Sequence, residues 1–166
     1  MALIRMDIQS VVVGAGLVAS MVVLKPRHKE EASKLPIRIG TIEATAISMG
    51  VDGRARKRPM THDLMQSIIS GLDASVSCVI ITNVRDTTFF ANIRLDTAQG
   101  ECVTIDARPS DALALAVRTH APIFAESDVV NRAALPDFSA IERDEREREA
   151  EAFHDFVENL KPDDFA

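Results

Sequence analysis

The hydrophobic and polar positions along the chain predict a series of short strands. Segment 3–24 is rich in Val, Ile and Leu and is divided by Gly14 and Gly16, which predicts two or three short strands. Segment 35–39 predicts an edge or entering strand, because Pro36 cannot donate a ladder hydrogen bond. Further strands are predicted at 76–84, 88–95 and 101–105, with turns at 86–88 and 97–100.

Apolar residues at helical spacing predict three helices in the main body of the chain. Thr41 and Thr61 are good N-cap residues for the first two helices. Pro109 suits the first turn of the third helix, where its missing N–H costs nothing. Since every residue from 112 to 117 is apolar, this third helix is expected to be mostly buried. A short strand at 122–125 is expected to follow it.

These elements predict an α+β fold in which an antiparallel or mixed sheet packs against three to four helices. The length of 166 residues and the 46% apolar content suit one folded domain. We place this domain at 1–135 and a helical tail at 136–166, with Pro136 at the boundary. The tail is predicted to be an amphipathic acidic helix with one apolar stripe, formed by Phe153, Phe156, Val157 and Leu160.

The net charge of −6 is carried entirely by residues 139–166. Residues 139–166 hold ten acidic and four basic side chains, so acids and bases are equal in number in the remainder. The low isoelectric point therefore says little about the surface of the main domain. Two roles for the tail stay open: a solubilising helix, or an autoinhibitory segment that competes with nucleic acid for basic residues.

Neither a membrane nor a secretory destination is indicated, and we expect a cytoplasmic protein. The uncharged run at 11–24 is shorter than the roughly 20 residues that a membrane-spanning helix needs. It also lacks a basic start followed by a small-residue cleavage site. Cys78 and Cys102 lie in separate apolar runs, which favours two buried, reduced thiols over a disulfide or a metal site.

Several motifs, in this order and at these spacings, resemble the bifunctional nuclease domain family over roughly residues 1–130. They are LPIRIG (35–40) with Glu43-Ala44, RPMTHDLM (58–65), TTFFANI (87–93), IDARPSDALALAVR (105–118) and APIF (121–124). The resemblance implies a compact α+β fold and a nuclease that acts on both DNA and RNA. Two departures are visible: Arg38 stands where members usually have Trp, and the loop at 54–58 is unusually basic.

Phosphodiester hydrolysis needs an activated water and neutralisation of charge on the phosphoryl oxygens. Carboxylates that hold Mg²⁺ or Mn²⁺ supply both, and Glu43, Asp106 and Asp111 are the candidate metal ligands. His62 and Asp63 are further catalytic candidates, together with Asp106 and Asp111, because a histidine at a helix start can act as a general base. The competing interpretation is electrostatic capping of helix N-termini by the acids.

Basic residues form the clearest electrostatic feature of the main domain. Those predicted to contact phosphate without reading sequence are Arg54, Arg56, Lys57, Arg58 and Arg108. A solvated charged loop is the alternative for residues 54–58. Arg108 and Arg118 lie on or beside a mostly buried helix and are expected to pair with acids such as Asp106 or Asp111.

The leading hypothesis is therefore a metal-assisted, sequence-nonspecific nuclease for DNA and RNA, with a homodimer possible. Its main rival is a non-catalytic nucleic-acid-binding or regulatory module, and a small-molecule enzyme with a phosphate-bearing ligand is a third hypothesis. Convergence of the predicted acids and His62 on one exposed cleft would favour the nuclease. Scattered acids, or acids held in arginine salt bridges, would favour the binding module.

Overall fold

The computed structural model of the protein describes residues 2–14, 19–27, 33–53 and 57–136. Eight strands and four helices lie in these residues. The strands are β1 (Leu3–Val12), β2 (Met21–Pro26), β3 (Ser33–Arg38), β4 (Ala74–Arg85), β5 (Thr88–Thr97), β6 (Cys102–Ala107), β7 (Ile123–Glu126) and β8 (Leu135–Pro136). The helices are α1 (Thr41–Val51), α2 (Thr61–Gly71), α3 (Pro109–Thr119) and α4 (Ser127–Ala133).

The strands form one mixed sheet in the order β6-β5-β4-β7-β1-β2-β3-β8. The long β4–β5 hairpin and the β1–β2 and β5–β6 pairs are antiparallel, whereas β4 and β7 are parallel. Strand β7 thus joins the β1–β3 meander to the β4–β6 meander. The predicted α+β fold with an antiparallel or mixed sheet is confirmed.

Helix α3 lies at the centre of the helical layer. It packs against α1, α2, β4 and β5, and its residues from Ala112 to Ala116 are all buried, as the apolar run predicts. Small alanine side chains on three of these five positions let neighbouring backbones approach closely. Pro109 occupies the first helical position, which confirms its predicted place.

Two predicted helix caps are wrong by one residue. Gly40 and Met60, with extended backbones, are the N-cap residues of α1 and α2, and Thr41 and Thr61 are the first helical residues. The Met60 N–H is satisfied by the carboxylate of Asp63, which accepts it at 2.8 Å. In α2, a side chain therefore does accept a backbone N–H at the helix start, but it is the carboxylate of Asp63 instead of the predicted hydroxyl of Thr61.

Three further outcomes concern elements at the periphery. Helix α4 was not predicted, because its seven residues are too few to show a helical period around the buried Val129 and Val130. Both cysteines are free, but Cys102 is exposed rather than buried, since β6 is an edge strand. Burial raises the pKa of the partly buried Cys78 thiol.

Among the described residues, no helix is long and apolar enough to cross a membrane. The described residues up to Leu135 belong to one compact unit. The predicted acidic tail at 136–166 lies, apart from Pro136, outside the described residues, so its helix and its role stay predictions.

Candidate active site at three helix N-termini

The first turns of α1, α2 and α3 meet at one place on the domain. Each contributes one side chain to a connected group of four residues, which we call the arginine cluster: Glu43 from α1, His62 from α2, Asp111 from α3 and Arg108, the N-cap residue of α3. The four come from three sequence segments, and the packing of α1 and α2 against α3 brings them together.

Arg108 is the hub of this cluster. Its Nε and Nη2 donate to the two carboxylate oxygens of Asp111 at 2.7 and 3.1 Å, and its Nη1 donates to Glu43 Oε1 at 3.1 Å. A guanidinium has five N–H donors, so two of them remain available. The Arg108 side chain is 65% exposed, whereas the Glu43 and Asp111 side chains are 25% and 29% exposed. The remaining donors are thus accessible to an oxyanion in solvent.

His62 lies beside the same carboxylate. Its Nε2 is 3.4 Å from Asp111 Oδ1, and its side chain is only 12% exposed. If Nε2 carries the proton and donates it to Asp111, the neutral ring presents Nδ1 as a proton acceptor. No described residue hydrogen-bonds to that nitrogen. The arrangement is that of an imidazole oriented by a carboxylate.

The electrostatics keep Asp111 ionised. Partial burial acts to raise the pKa of Asp111, but the hydrogen bonds and charge of Arg108, with a smaller effect of His62, lower it below its usual value. The pKa of Arg108 is raised in turn, first by Asp111 and then by Glu43. Asp111 and Arg108 therefore form an ion pair at neutral pH.

Asp63 is placed in a second, more buried interaction instead of the cluster. It accepts a hydrogen bond from Arg118 Nε at 2.6 Å, and the Arg118 side chain is only 5% exposed. Arg118 Nη1 also donates to the backbone carbonyls of Ala46 and Ala114. One guanidinium in the last turn of α3 therefore links α1, α2 and α3. The predicted pairing of Arg118 with an acid is confirmed in kind, with Asp63 as the partner.

Asp106 is the predicted site residue that the structure separates from the others. It lies on the edge strand β6 in register with Asn92, and its neighbours Ile105 and Ala107 pair with Ile93 and Ala91 of the core. Because side chains alternate along a strand, Asp106 lies on the opposite face. It is exposed and makes no hydrogen bond or ion pair with the described residues.

The predicted metal ligands Glu43, Asp106 and Asp111 consequently do not meet as one group. Within the described ranges no three His, Cys, Asp or Glu side chains are arranged to hold a metal ion. Glu43 and both oxygens of Asp111 already accept hydrogen bonds from Arg108. In this arrangement the donor set does not fit Mg²⁺ or Mn²⁺, and the metal stays a prediction.

The predicted phosphate-binding loop is described only in part. Arg54 and Arg56 lie outside the described residues, whereas Lys57 and Arg58 are exposed. Arg58 lines a cavity of about 660 Å³ together with Asp63 and Arg118. Arg108, the fifth predicted phosphate ligand, lies in the arginine cluster instead of beside this loop.

Two hydroxyls near the cluster were not singled out as site residues from the sequence. Glu43 and Arg108 line a depression of about 290 Å³ that also includes Thr87 and Thr88 at the tip of the β4–β5 hairpin. Arg38, which stands where family members usually have Trp, lines the same depression at the end of β3. The turn around Asp86 is predicted from the sequence, but its placement near the start of α3 depends on long-range packing, which the local pattern does not show.

The fold and the cluster together define a mixed α+β domain with an arginine-centred polar site at the junction of three helix N-termini. The family model that describes the bifunctional nuclease domain matches residues 22–137, and the chain belongs to this family. The resemblance carried by the sequence motifs is thereby confirmed.

Two relatives come from Mycobacterium tuberculosis. They are the uncharacterized protein MT1877 of strain CDC 1551 / Oshkosh and the uncharacterized protein Rv1829 of strain ATCC 25618 / H37Rv. Each is 39% identical to this chain over 135 residues, which cover 79% of this chain and 80% of the relative. Their names assign no activity, so the chemistry has to be argued from the site.

Proposed function

We propose that this chain binds the phosphodiester backbone of DNA and RNA at the arginine cluster and hydrolyses it there. The observation that carries the proposal is Arg108, which keeps two N–H donors for a ligand while two carboxylates fix its position. A planar guanidinium can donate both hydrogens to two oxygens of one phosphate group. Such contacts do not depend on the base, so the activity is expected to be sequence-nonspecific.

In this mechanism His62 is the general base. Its Nδ1 accepts a proton from the water that attacks the phosphorus atom, and Asp111 stabilises the imidazolium that forms. The bond from phosphorus to one ester oxygen of the backbone breaks, and the leaving alkoxide takes a proton from solvent. Arg108 neutralises charge that develops on the phosphoryl oxygens. The hydroxyls of Thr87 and Thr88, which line the same depression, donate to the bound phosphate.

A non-catalytic nucleic-acid-binding module is the second candidate, and one observation favours it. Glu43, Asp63 and Asp111 are all held in arginine salt bridges, which is the arrangement that the sequence argument assigns to a binding module. Hydrolysis stays the leading proposal because one carboxylate, that of Asp111, contacts both His62, the proposed proton acceptor, and Arg108, the proposed phosphate contact.

The test is cleavage and binding of labelled single-stranded DNA and RNA by the purified full chain. Each reaction is run with chelator, with Mg²⁺ and with Mn²⁺. Cleavage of both nucleic acids in chelator supports the residue-based mechanism, and cleavage only with metal supports the predicted Mg²⁺ or Mn²⁺. Binding without cleavage under every condition would replace the nuclease by the binding module. Absence of both would remove the proposal.

The possible homodimer also stays a proposal. Strand β6 ends the sheet, and its side chains Val103 and Ile105 are 41% and 44% exposed. An open edge with apolar side chains can pair with the same edge of a second copy. Sedimentation equilibrium of the full chain over a hundredfold concentration range would show a dimer mass, and a monomer mass throughout would exclude it.

A further inference from the structure

Two adjoining cavities form one groove over the C-terminal ends of α1 and α3, which we call the helix-end groove. Their volumes are about 660 and 360 Å³, and they share Gly50, Gly53, Val117 and His120. The larger cavity extends to Arg58 and Asp63. Since Asp63 follows His62 directly, the groove begins one residue along α2 from the arginine cluster.

The charge of this groove is positive among the residues described. Its two acids are each paired with an arginine: Asp63 with Arg118 at 2.6 Å and Asp7 with Arg27 at 2.6 Å. Arg58 and Arg5 line the same groove and form no ion pair with a described residue. Cations along a groove attract a polyanion.

His120 separates the two cavities and has an unusual backbone. It is the C-cap residue of α3, with φ 55° and ψ 25°, in the left-handed region where glycine is the usual residue. A histidine there is held in a conformation that its Cβ disfavours. The imidazole is exposed and lines both cavities, which gives the side chain a position that glycine could not supply.

Arg5 adds a second unusual feature at the far end. Its guanidinium carbon lies 5.3 Å from the centre of the Phe124 ring, and its buried Nε has no hydrogen-bond partner among the described residues. This cation therefore lies at the far end of the groove, held over an aromatic ring.

From these features we propose that the helix-end groove binds the phosphate backbone of the nucleic-acid strand whose scissile phosphate is at the arginine cluster. The proposal rests on the proposed function and names the path of the substrate. Apart from the imidazole of His120, the described groove lining holds no aromatic ring, so successive bases have no row of rings to stack on. The groove therefore recognises the strand through its phosphates, and binding is independent of base sequence.

The test compares Arg58→Gln, His120→Asn and the double variant with Arg94→Gln as a matched control. Asparagine tolerates the left-handed backbone, so His120→Asn removes the imidazole without a new conformational demand. Arg94 is an exposed arginine that alternates with the buried Ile93 and Leu95, so it lies on the other face of β5. Affinity for a 12-nucleotide single-stranded DNA is measured by fluorescence anisotropy in chelator at several salt concentrations.

Arg58→Gln is expected to weaken binding about threefold or more and to reduce the salt slope by about 0.7, with a further loss of affinity in the double variant. Arg94→Gln is expected to match the wild type. Equal affinities and salt slopes in all four variants would overturn the groove. Cleavage by the wild type, followed in parallel samples, shows separately whether the proposed hydrolysis stands. If the groove variants bind more weakly but the wild type does not cleave, the proposed groove is supported and the proposed hydrolysis is excluded.

Discussion

Arg118 is the residue on which the geometry of the arginine cluster depends without belonging to it. Its guanidinium contacts a carboxylate of α2 and backbone carbonyls of α1 and α3, and it is almost completely buried. A buried cation is stable only when its donors are satisfied, and here three acceptors from three helices satisfy them. The hydrogen bonds that stabilise the buried Arg118 therefore also fix the relative positions of α1, α2 and α3.

Replacing Arg118 by methionine should destabilise the protein by about 2–4 kcal/mol, because Asp63 and two backbone carbonyls each lose the hydrogen bond that the guanidinium donates. Urea denaturation measures the change in unfolding free energy. Arg27→Met is the matched control, since it breaks an exposed pair with Asp7 and should cost far less. Equal losses in the two variants would show that burial of Arg118 contributes nothing.

The two arginine pairings differ in how far the sequence could predict them. Asp111 follows Arg108 by three residues across a helix start, so their contact could be expected from spacing alone. Asp63 precedes Arg118 by 55 residues, and only the packing of α2 on α3 makes them neighbours. Asp106 is a candidate metal ligand from the sequence because it follows an apolar strand at a strand-to-helix junction, but strand alternation turns it to the other face.

At the scale of elements, α1 and α3 approach closely at Gly50. A Cβ added at this glycine would lie 2.5 Å from Val117 Cγ2 and 2.7 Å from Arg118 Nη1. Real Cβ atoms do not make such contacts, so any larger residue must push the two helices apart or displace Arg118.

Gly50→Ala is therefore expected to destabilise the protein by about 1–3 kcal/mol. Gly71→Ala is the matched control near the end of α2, where an added Cβ meets nothing within 4 Å. There alanine should stabilise the protein by about 0.4–1 kcal/mol, because it restricts the unfolded chain. Thermal unfolding of both variants gives the comparison. The same sign of change in both would contradict the close approach at Gly50.

The first turn of α3 should also make stability depend on acid pH. Despite the opposing effect of burial, Arg108 lowers the pKa of Asp111 in the folded protein, so the ionised form stabilises the fold. This contribution is fully present above the unfolded pKa of about 3.9 and is lost as the pH falls through the lower, folded value. Unfolding free energies of wild type and Asp111→Asn, measured from pH 5 to pH 2.5, should converge as the pH falls. A constant difference would contradict the assignment.

Elements with a clear hydrophobic period were predictable, and elements without one were not. The buried run of α3 and the alternation in β5 carry enough residues to mark their type, and both were identified. Helix α4 is too short to show a period, and the one-residue error at Thr41 and Thr61 arises because Gly40 and Met60 carry no cap signal. The order of strands in the sheet depends on long-range pairing that periodicity does not encode.

At the scale of the whole molecule, the site is formed where three segments that are far apart in the sequence meet in space. Glu43, His62 and Asp111 lie in three helix starts, and the predicted convergence holds for these three. Arg108 occupies the centre, where a metal had been expected. The positive charge at that centre is thus supplied by a guanidinium, and the proposed phosphate binding uses its two remaining donors.

The most direct test of this account is single-turnover cleavage of a labelled oligonucleotide by wild type, His62→Gln and Arg94→Gln at saturating protein. If His62 is the general base that we propose, its loss should lower the cleavage rate by about 10²–10⁴-fold while affinity changes little. Arg94→Gln, on the other face of β5, should cleave at the wild-type rate. Wild-type cleavage by His62→Gln at equal occupancy would contradict the central claim that the cluster performs the hydrolysis.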